Sequence, residues 1–208
     1  MNIFEKPIIV LDIETTGLNG MMYSVCELAA MKLDEKLNKV DQFHTEKYIK
    51  PFEEKYLKEA METHGINKEI LDKAPGFESI INDFIEWCGP KGESELSSWG
   101  ISFDFPFMQC QFYKMHKRWP FDYRYFDLRT VVKYEAAWKG YKSKLSLRDY
   151  CDIYKVEYDL KQYHTAIGDV EMEVNLFKKV KEERDKLYEQ LYSLQQQLRD
   201  HDYHKYMD

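Results

Sequence analysis

The sequence predicts an α/β domain in which a mixed β-sheet is flanked by helices, and three observations predict it. Pro7 is followed by the continuous apolar run Ile8-Ile9-Val10-Leu11, which reads as a strand buried on both faces. Residues 25–33 and 42–49 are strand-like, and the polar linker at residues 34–38 has the length of a hairpin connection, so the chain should open as an antiparallel meander. Thereafter apolar residues recur mainly at helical spacing, and strands followed by interleaved helices suit one α/β domain with a mixed sheet.

The first strand ends at Asp12 and Glu14 and is bounded by the turn-like residues 16–20. Helices are expected over residues 53–63, with Tyr56, Leu57, Ala60 and Met61 on one face, and over residues 77–87, with Phe77, Ile80, Ile81, Phe84 and Ile85. Gly65, Pro75-Gly76 and Gly89-Pro90 punctuate them. Residues 95–99 can form another strand, and residues 103–117 a helix that accepts Pro106 in its first turn. Ser146 is a candidate N-cap for a short helix over residues 146–151, and from Thr165 onward the chain reads as one long helix. Leu187, Leu191, Leu194 and Leu198 have the 4-3-4 spacing of a coiled-coil seam over about two heptads. That seam has two readings, a homodimer contact or a terminal helix folded back on its own domain.

A chain of 208 residues with 44% hydrophobic and 15% aromatic content can fill a sizeable core. Its apolar segments are too short for a signal-peptide core or a membrane span, which makes a cytoplasmic protein with no membrane partner the expectation. Cys26, Cys88, Cys110 and Cys151 form no C-x-x-C pair and are expected to be buried free thiols rather than zinc ligands or disulfides. The net charge of −7 argues against coating nucleic acid by bulk electrostatics. Residues 111–150 carry a local charge of +6, which leaves −13 for the remainder. Tyr113, Trp119, Tyr123, Tyr125, Trp138 and Tyr141 interleave with this basic stretch in the manner of a phosphate-tracking, base-stacking surface. A solvated helical face over core aromatics is the equally open alternative.

Asp12 and Glu14 lie two residues apart on a predicted strand, so both carboxylates share one face. Two acids at the end of a buried strand repel one another and resist desolvation, a cost that divalent cations remove.

The segment Asp12-Ile13-Glu14-Thr15-Thr16-Gly17-Leu18 resembles the first exonuclease motif of the DEDDh family. That family includes proofreading subunits of replicative polymerases and RNA-trimming exonucleases. Phe103-Asp104 with Phe107-Met108 resembles its second motif, and His164-Thr165-Ala166-Ile167-Gly168-Asp169 its third, H-x-A-x-x-D. Thr63-His64-Gly65-Ile66, Phe126-Asp127-Leu128 and Lys144-Leu145-Ser146-Leu147 are fainter echoes in the same order, so the resemblance covers about residues 7–180. One departure stands out, because Trp99 and Gly100 occupy the positions where the family commonly has His-Asn.

The resemblance implies a ribonuclease H-like fold, with residues 1–180 as a 3′–5′ exonuclease domain and residues 181–208 as a helical extension. It also implies that Asp12, Glu14, Asp104 and Asp169 hold two Mg²⁺ or Mn²⁺ ions roughly 3.5–4 Å apart, with Asp12 bridging them. His164 is then the general base, since an imidazole pKa near ~6.5 suits it to take a proton from water at neutral pH. By the same resemblance Thr15, Thr16, Gly17 and Leu18 grip the 3′ end, and Phe103 and Phe107 are candidates for the substrate wall; Leu18, Phe103 and Phe107 read equally well as core. His64 is either a wall residue or part of a helix-ending turn, the latter favoured; His44, His116, His201 and His204 read as surface or capping residues. Single-stranded RNA or DNA 3′ ends are the expected partners, with RNA slightly favoured. The competing reading is an inactive nucleic-acid-binding or scaffold module of the same fold.

Overall fold

The computed structural model describes residues 4–45, 48–52, 55–142 and 144–205, with side chains to residue 199. The chain opens with β1 (Ile8–Thr15), β2 (Val25–Leu33) and β3 (Lys39–His44), the expected meander, followed by α1 (Lys58–His64), α2 (Lys68–Lys73) and α3 (Glu78–Cys88). It continues through β4 (Glu95–Ser98), α4 (Ile101–Lys114), β5 (Tyr125–Asp127), α5 (Leu128–Trp138), α6 (Leu147–Tyr154) and α7 (Ala166–Lys205). Among the described residues these strands form one five-stranded sheet in the order β3-β2-β1-β4-β5. The pairs β1/β2 and β2/β3 are antiparallel, whereas β1/β4 and β4/β5 are parallel, so the sheet is mixed.

Strand alternation divides the core into two layers. Ile9, Leu11 and Ile13 of β1, with Leu28 and Ala30 of β2, meet Phe77, Ile81 and Phe84 around α3 and Met108 and Phe112 of α4. Ile8 and Val10, with Ala29, Met31 and Leu33, face Ala166, Val170, Val174 and Phe177 of α7 on the other side. A third cluster ties α5 and α6 to α7 through Val132, Ala136, Tyr150, Met172 and Leu176. The sheet thus lies between α3/α4 and α7, and α7 packs on the same sheet face that carries Asp12 and Glu14 by parity.

Several elements differ from the sequence expectation. The third strand begins at Lys39 and ends at His44, because the hairpin turn closes tightly through the Asp34 side chain, which accepts from the Lys36 and Asn38 amides. Glu53, where the first helix was expected to start, lies outside the described residues, and α1 begins only at Lys58 with Leu57 as N-cap. Helices α2 and α5 and strand β5 were not anticipated; α2 is six residues and β5 three, too short for periodicity to register. Helix α4 starts at Ile101, which puts Pro106 beyond the first turn. Ser146 caps α6 as expected, in a reciprocal capping box with Asp149.

Cys26, Cys88 and Cys151 are buried free thiols, but Cys110 is only half-buried. Of the two readings of the basic stretch, Trp119 follows the core-aromatic one, its ring packing on Phe105, Phe112 and Phe121, whereas Tyr113, Tyr123 and Trp138 are exposed. Helix α7 does not fold back: Leu187, Leu191, Leu194 and Leu198 are 47–65% exposed. No helix among the described residues is long and apolar enough to cross a membrane.

Candidate active site

Five carboxylates and one imidazole meet at the carboxyl end of β1. Along this strand the residues facing α7 change from Ile8 and Val10 to Asp12 and Glu14, so one pleat face is apolar for half its length and anionic for the rest. A β-bulge follows immediately, where the β1/β2 register shifts between Glu14 and Thr15. Asp104 arrives from the first turn of α4, which starts almost directly after parallel strand β4. Asp169 and Glu173 stand one helical turn apart at the start of α7. With His164 these groups line a cleft of about 370 Å³, whose wall also includes Trp99, Phe103, Arg129, Leu147 and Tyr163. One ligand atom from each of Glu14, His164 and Asp169 lies within 4.8 Å of the others. A larger hollow of about 470 Å³, beside Tyr48, Asn67 and Pro75, lies away from all of them.

Two of the site acids and the neighbouring Glu27 are held by specific partners. Ser98 Oγ donates to Asp104 Oδ2 at 2.6 Å, and the His164 amide donates to Asp169 Oδ1 at 3.3 Å. Buried Glu27 stands opposite Glu14 in the β1/β2 ladder; its Oε2 accepts from the Ala166 amide at 3.2 Å and its Oε1 lies 3.0 Å from His44 Nε2. The first contact fastens the amino end of α7 to β2, and the second ties β2 to β3. His44, expected only at the surface, therefore has a structural partner.

The electrostatics are strained in one direction. Burial, then the Asp169, Glu27 and Asp104 charges, push Glu14 up to about 9. Burial raises Asp104 to about 7 against the opposing Ser98 hydrogen bond, and Asp169 to about 6 against the His164 amide. Asp12 rises well above the ordinary carboxylate range through burial and then the Glu173 charge. Burial lowers His164, which favours the neutral imidazole that can accept a proton. Carboxylates crowded and desolvated in this way, with oxygen donors and an open mouth, fit hard divalent cations such as Mg²⁺ or Mn²⁺.

His164 has a left-handed backbone (φ 64°), and its ring lies against Tyr163 with centroids 3.9 Å apart. Its Nδ1 is 3.9 Å from Asp169 Oδ2. Thr165 caps α7 by accepting from the Gly168 amide, and a Cβ at Gly168 would fall 2.1 Å from the Gln162 carbonyl oxygen. The loop that carries His164 is therefore seated directly on the first turn of α7.

The expected 3′-end segment divides by role. Thr15 and Thr16 are buried and turn inward, where Thr15 Oγ1 donates to the Gly17 carbonyl and Thr16 Oγ1 accepts from the Ser24 amide. Gly17 lies flat against the Tyr23 ring, leaving no room for a Cβ. Leu18 is 71% exposed and Phe103 sits at the cleft wall, whereas Phe107 is core. Leu18, Phe103 and Phe107 nevertheless share a second hollow of about 330 Å³ beside the first. Buried Gln111 holds the loop down by donating to the Gly20 and Tyr23 carbonyls. His64 closes the turn after α1 by accepting from the Ile66 amide, the structural alternative of its two readings. The His201 and His204 side chains lie outside those described.

Glu173, Glu27, Ser98 and Gln111 escaped the sequence reading. Only Glu173 carried a usable signal, its i,i+4 spacing from Asp169. Arg129 is the one Lys or Arg of residues 111–150 that lines the cleft, among the described residues. Trp99 sits edge-on to Tyr150 and is tied into the core, while Gly100 caps α4, so neither supplies a titratable group.

Sheet order and site together define a nuclease of the ribonuclease H-like fold. The model of the exonuclease family RNase_T matches residues 9–177. The chain belongs to this family, and its motifs are those of the DEDDh 3′–5′ exonucleases. A DNA polymerase III subunit epsilon from Rickettsia conorii is 30% identical over 166 residues, covering 77% of this chain and 67% of that protein. Among solved structures, the nuclease domain of 3′hExo bound to rAMP shares the fold with a TM-score of 0.68 at 18% identity, covering 88% of this chain and 95% of that one. Exonuclease I from E. coli in complex with a dT13 oligonucleotide gives 0.74 at 17% identity, over 90% of this chain and 44% of that one.

Two predictions follow from the geometry. An acid whose folded pKa exceeds its unfolded value of roughly 4 favours the native state at low pH, and that advantage is lost as pH rises through the folded value. With Asp169 at about 6, Asp104 at about 7 and Glu14 at about 9, the melting temperature in EDTA should fall steadily from pH 5 to pH 9, and Mg²⁺ should raise it most at the alkaline end. A flat EDTA profile would contradict the crowded carboxylates. Gly168→Ala should displace the His164 loop and lower kcat by roughly 10²-fold with an unchanged circular dichroism spectrum, since ångström misplacement of a catalytic group has that order of effect.

Proposed function

We propose that this chain hydrolyses single-stranded nucleic acid from the 3′ end by a two-cation mechanism, with residues 1–180 as the exonuclease domain and residues 181–208 as a helical extension. The observation that carries the reading is the approach of Glu14, His164 and Asp169 to within 4.8 Å at a cleft also lined by Asp12 and Asp104. Asp12, Glu14, Asp104 and Asp169 would hold two divalent cations, Mg²⁺ or Mn²⁺. When bound, these cations lower the pKa of the attacking water and stabilise charge on the phosphodiester oxygens.

The chain's own residues do the rest. The His164 imidazole, neutral and pressed on Tyr163, accepts the proton of the attacking water. Arg129 at the cleft wall offsets phosphate charge. The backbone of residues 15–18 grips the terminal nucleotide while exposed Leu18 and Phe103 flank its base, and a cleft of about 370 Å³ suits one unpaired strand. Phe107 supports this wall from the core. DNA is the favoured polymer, because the curated relatives are DNA polymerase subunits, and this outweighs the slight leaning to RNA in the sequence. An intracellular location accords with the same relatives.

Cleavage of 5′-labelled single-stranded DNA and RNA in Mg²⁺, Mn²⁺ or EDTA tests the reading. A cation-dependent ladder shortening from the 3′ end is expected, faster on DNA, abolished in Asp12→Ala and slowed roughly 10²–10⁴-fold in His164→Ala. No degradation of either polymer would move the assignment to the binding-module alternative. For assembly, the exposed seam of Leu187, Leu191, Leu194 and Leu198 supports a homodimer. Sedimentation velocity should show a dimer that Leu191→Glu dissociates, and a wild-type monomer at every concentration would discard it.

A further inference from the structure

Glu173 is the group that the family motifs leave unassigned. It stands one turn beyond Asp169 on α7, which puts both carboxylates on the same helical face. The side chain is 1% exposed and lines the cleft together with Asp12, Asp104 and Asp169. Neither of its oxygens has a well-formed hydrogen bond among the described residues, and burial outweighs the opposing effect of the Trp99 backbone amide. Met172 and Leu176, its near neighbours on α7, are buried apolar residues. A carboxylate enclosed among such groups without a partner is costly, and the cost is removed only by a proton or a cation.

Glu14, His164 and Asp169 converge at one end of the cleft. Glu173 stands outside that cluster and lines the cleft together with Asp12 and Asp104. We propose that Glu173 is a fifth carboxylate of the metal centre, turned toward the cation held between Asp12 and Asp104. This assignment rests on the two-cation reading above. It gives the inner cation three carboxylate neighbours, Asp12, Asp104 and Glu173, and makes it more tightly held than Asp12 and Asp104 alone allow.

The test is Mn²⁺ binding rather than turnover. Calorimetric titration and the electron paramagnetic resonance of free Mn²⁺ are read for wild type and Glu173→Gln, with melting temperatures taken in EDTA. Wild type is expected to bind two Mn²⁺ ions. Glu173→Gln should keep one site unchanged and weaken the other about tenfold or more, the order of loss seen when a metal site loses a supporting group. It should melt in EDTA no lower than wild type, because the substitution removes charge from a repulsive cluster. Two unchanged affinities in Glu173→Gln would overturn the assignment and leave Glu173 a protonated structural acid. If that variant does not fold, Glu173→Asp retains the charge but withdraws it by one methylene; it should weaken the same single site, and unchanged binding there overturns the assignment equally. A wild-type protein that binds no Mn²⁺ sinks the two-cation reading and this assignment with it, whereas two ions bound with unchanged affinities in both proteins sink this assignment alone.

Discussion

Everything at the site depends on the pleat of β1. Because side chains alternate strictly, the face that buries Ile8 and Val10 against α7 must also present Asp12 and Glu14 to the same helix. The apolar half supplies the free energy, roughly 1.5–3 kcal/mol for each large aliphatic side chain removed from water. The anionic half spends part of it on repulsion among desolvated carboxylates. Helix α7 repeats the arrangement: Val170 and Val174 seat it on the sheet while Asp169 and Glu173 meet the strand's acids. Shifting β1 by one residue would exchange its two faces and dismantle core and site together.

A ring of buried polar contacts turns this rough alignment into a defined geometry. Glu27 joins β2 to the first amide of α7, Ser98 orients Asp104, and Gln111 holds the loop that bears Leu18. None of these side chains needs to touch substrate. Each fixes an element that does, which is how a site drawn from four separate segments of the chain acquires ångström precision. The glycines work to the same end, since Gly20 allows its loop to lie on the Phe107 backbone and Gly168 allows the His164 loop to lie on α7.

The parts legible in the sequence were those with a local signature. The apolar run at Ile8, the hairpin linker, the Ser146 cap and the long final helix all stand where the pattern put them. Asp12, Glu14, Asp104, His164 and Asp169 converge on one cleft, as their motifs implied. Short elements such as α2 and β5 were invisible because six and three residues do not establish a period. Trp119 was left open between a stacking surface and the core because composition cannot tell an aromatic on a basic surface from one beneath it; its ring sits against Phe112 and Phe121. Gln111 and Ser98 were hidden for a related reason, since their partners are distant in sequence or set by a turn that only the fold defines.

Helix α7 runs unbroken for 40 residues, which at 1.5 Å per residue is a rod of about 60 Å. Its first two turns carry Asp169 and Glu173, and its far half stands clear of the sheet. The exposed leucines and the carboxylate cluster are therefore fixed to the two ends of one rod, so the position of one relative to the other is set by a single helix axis.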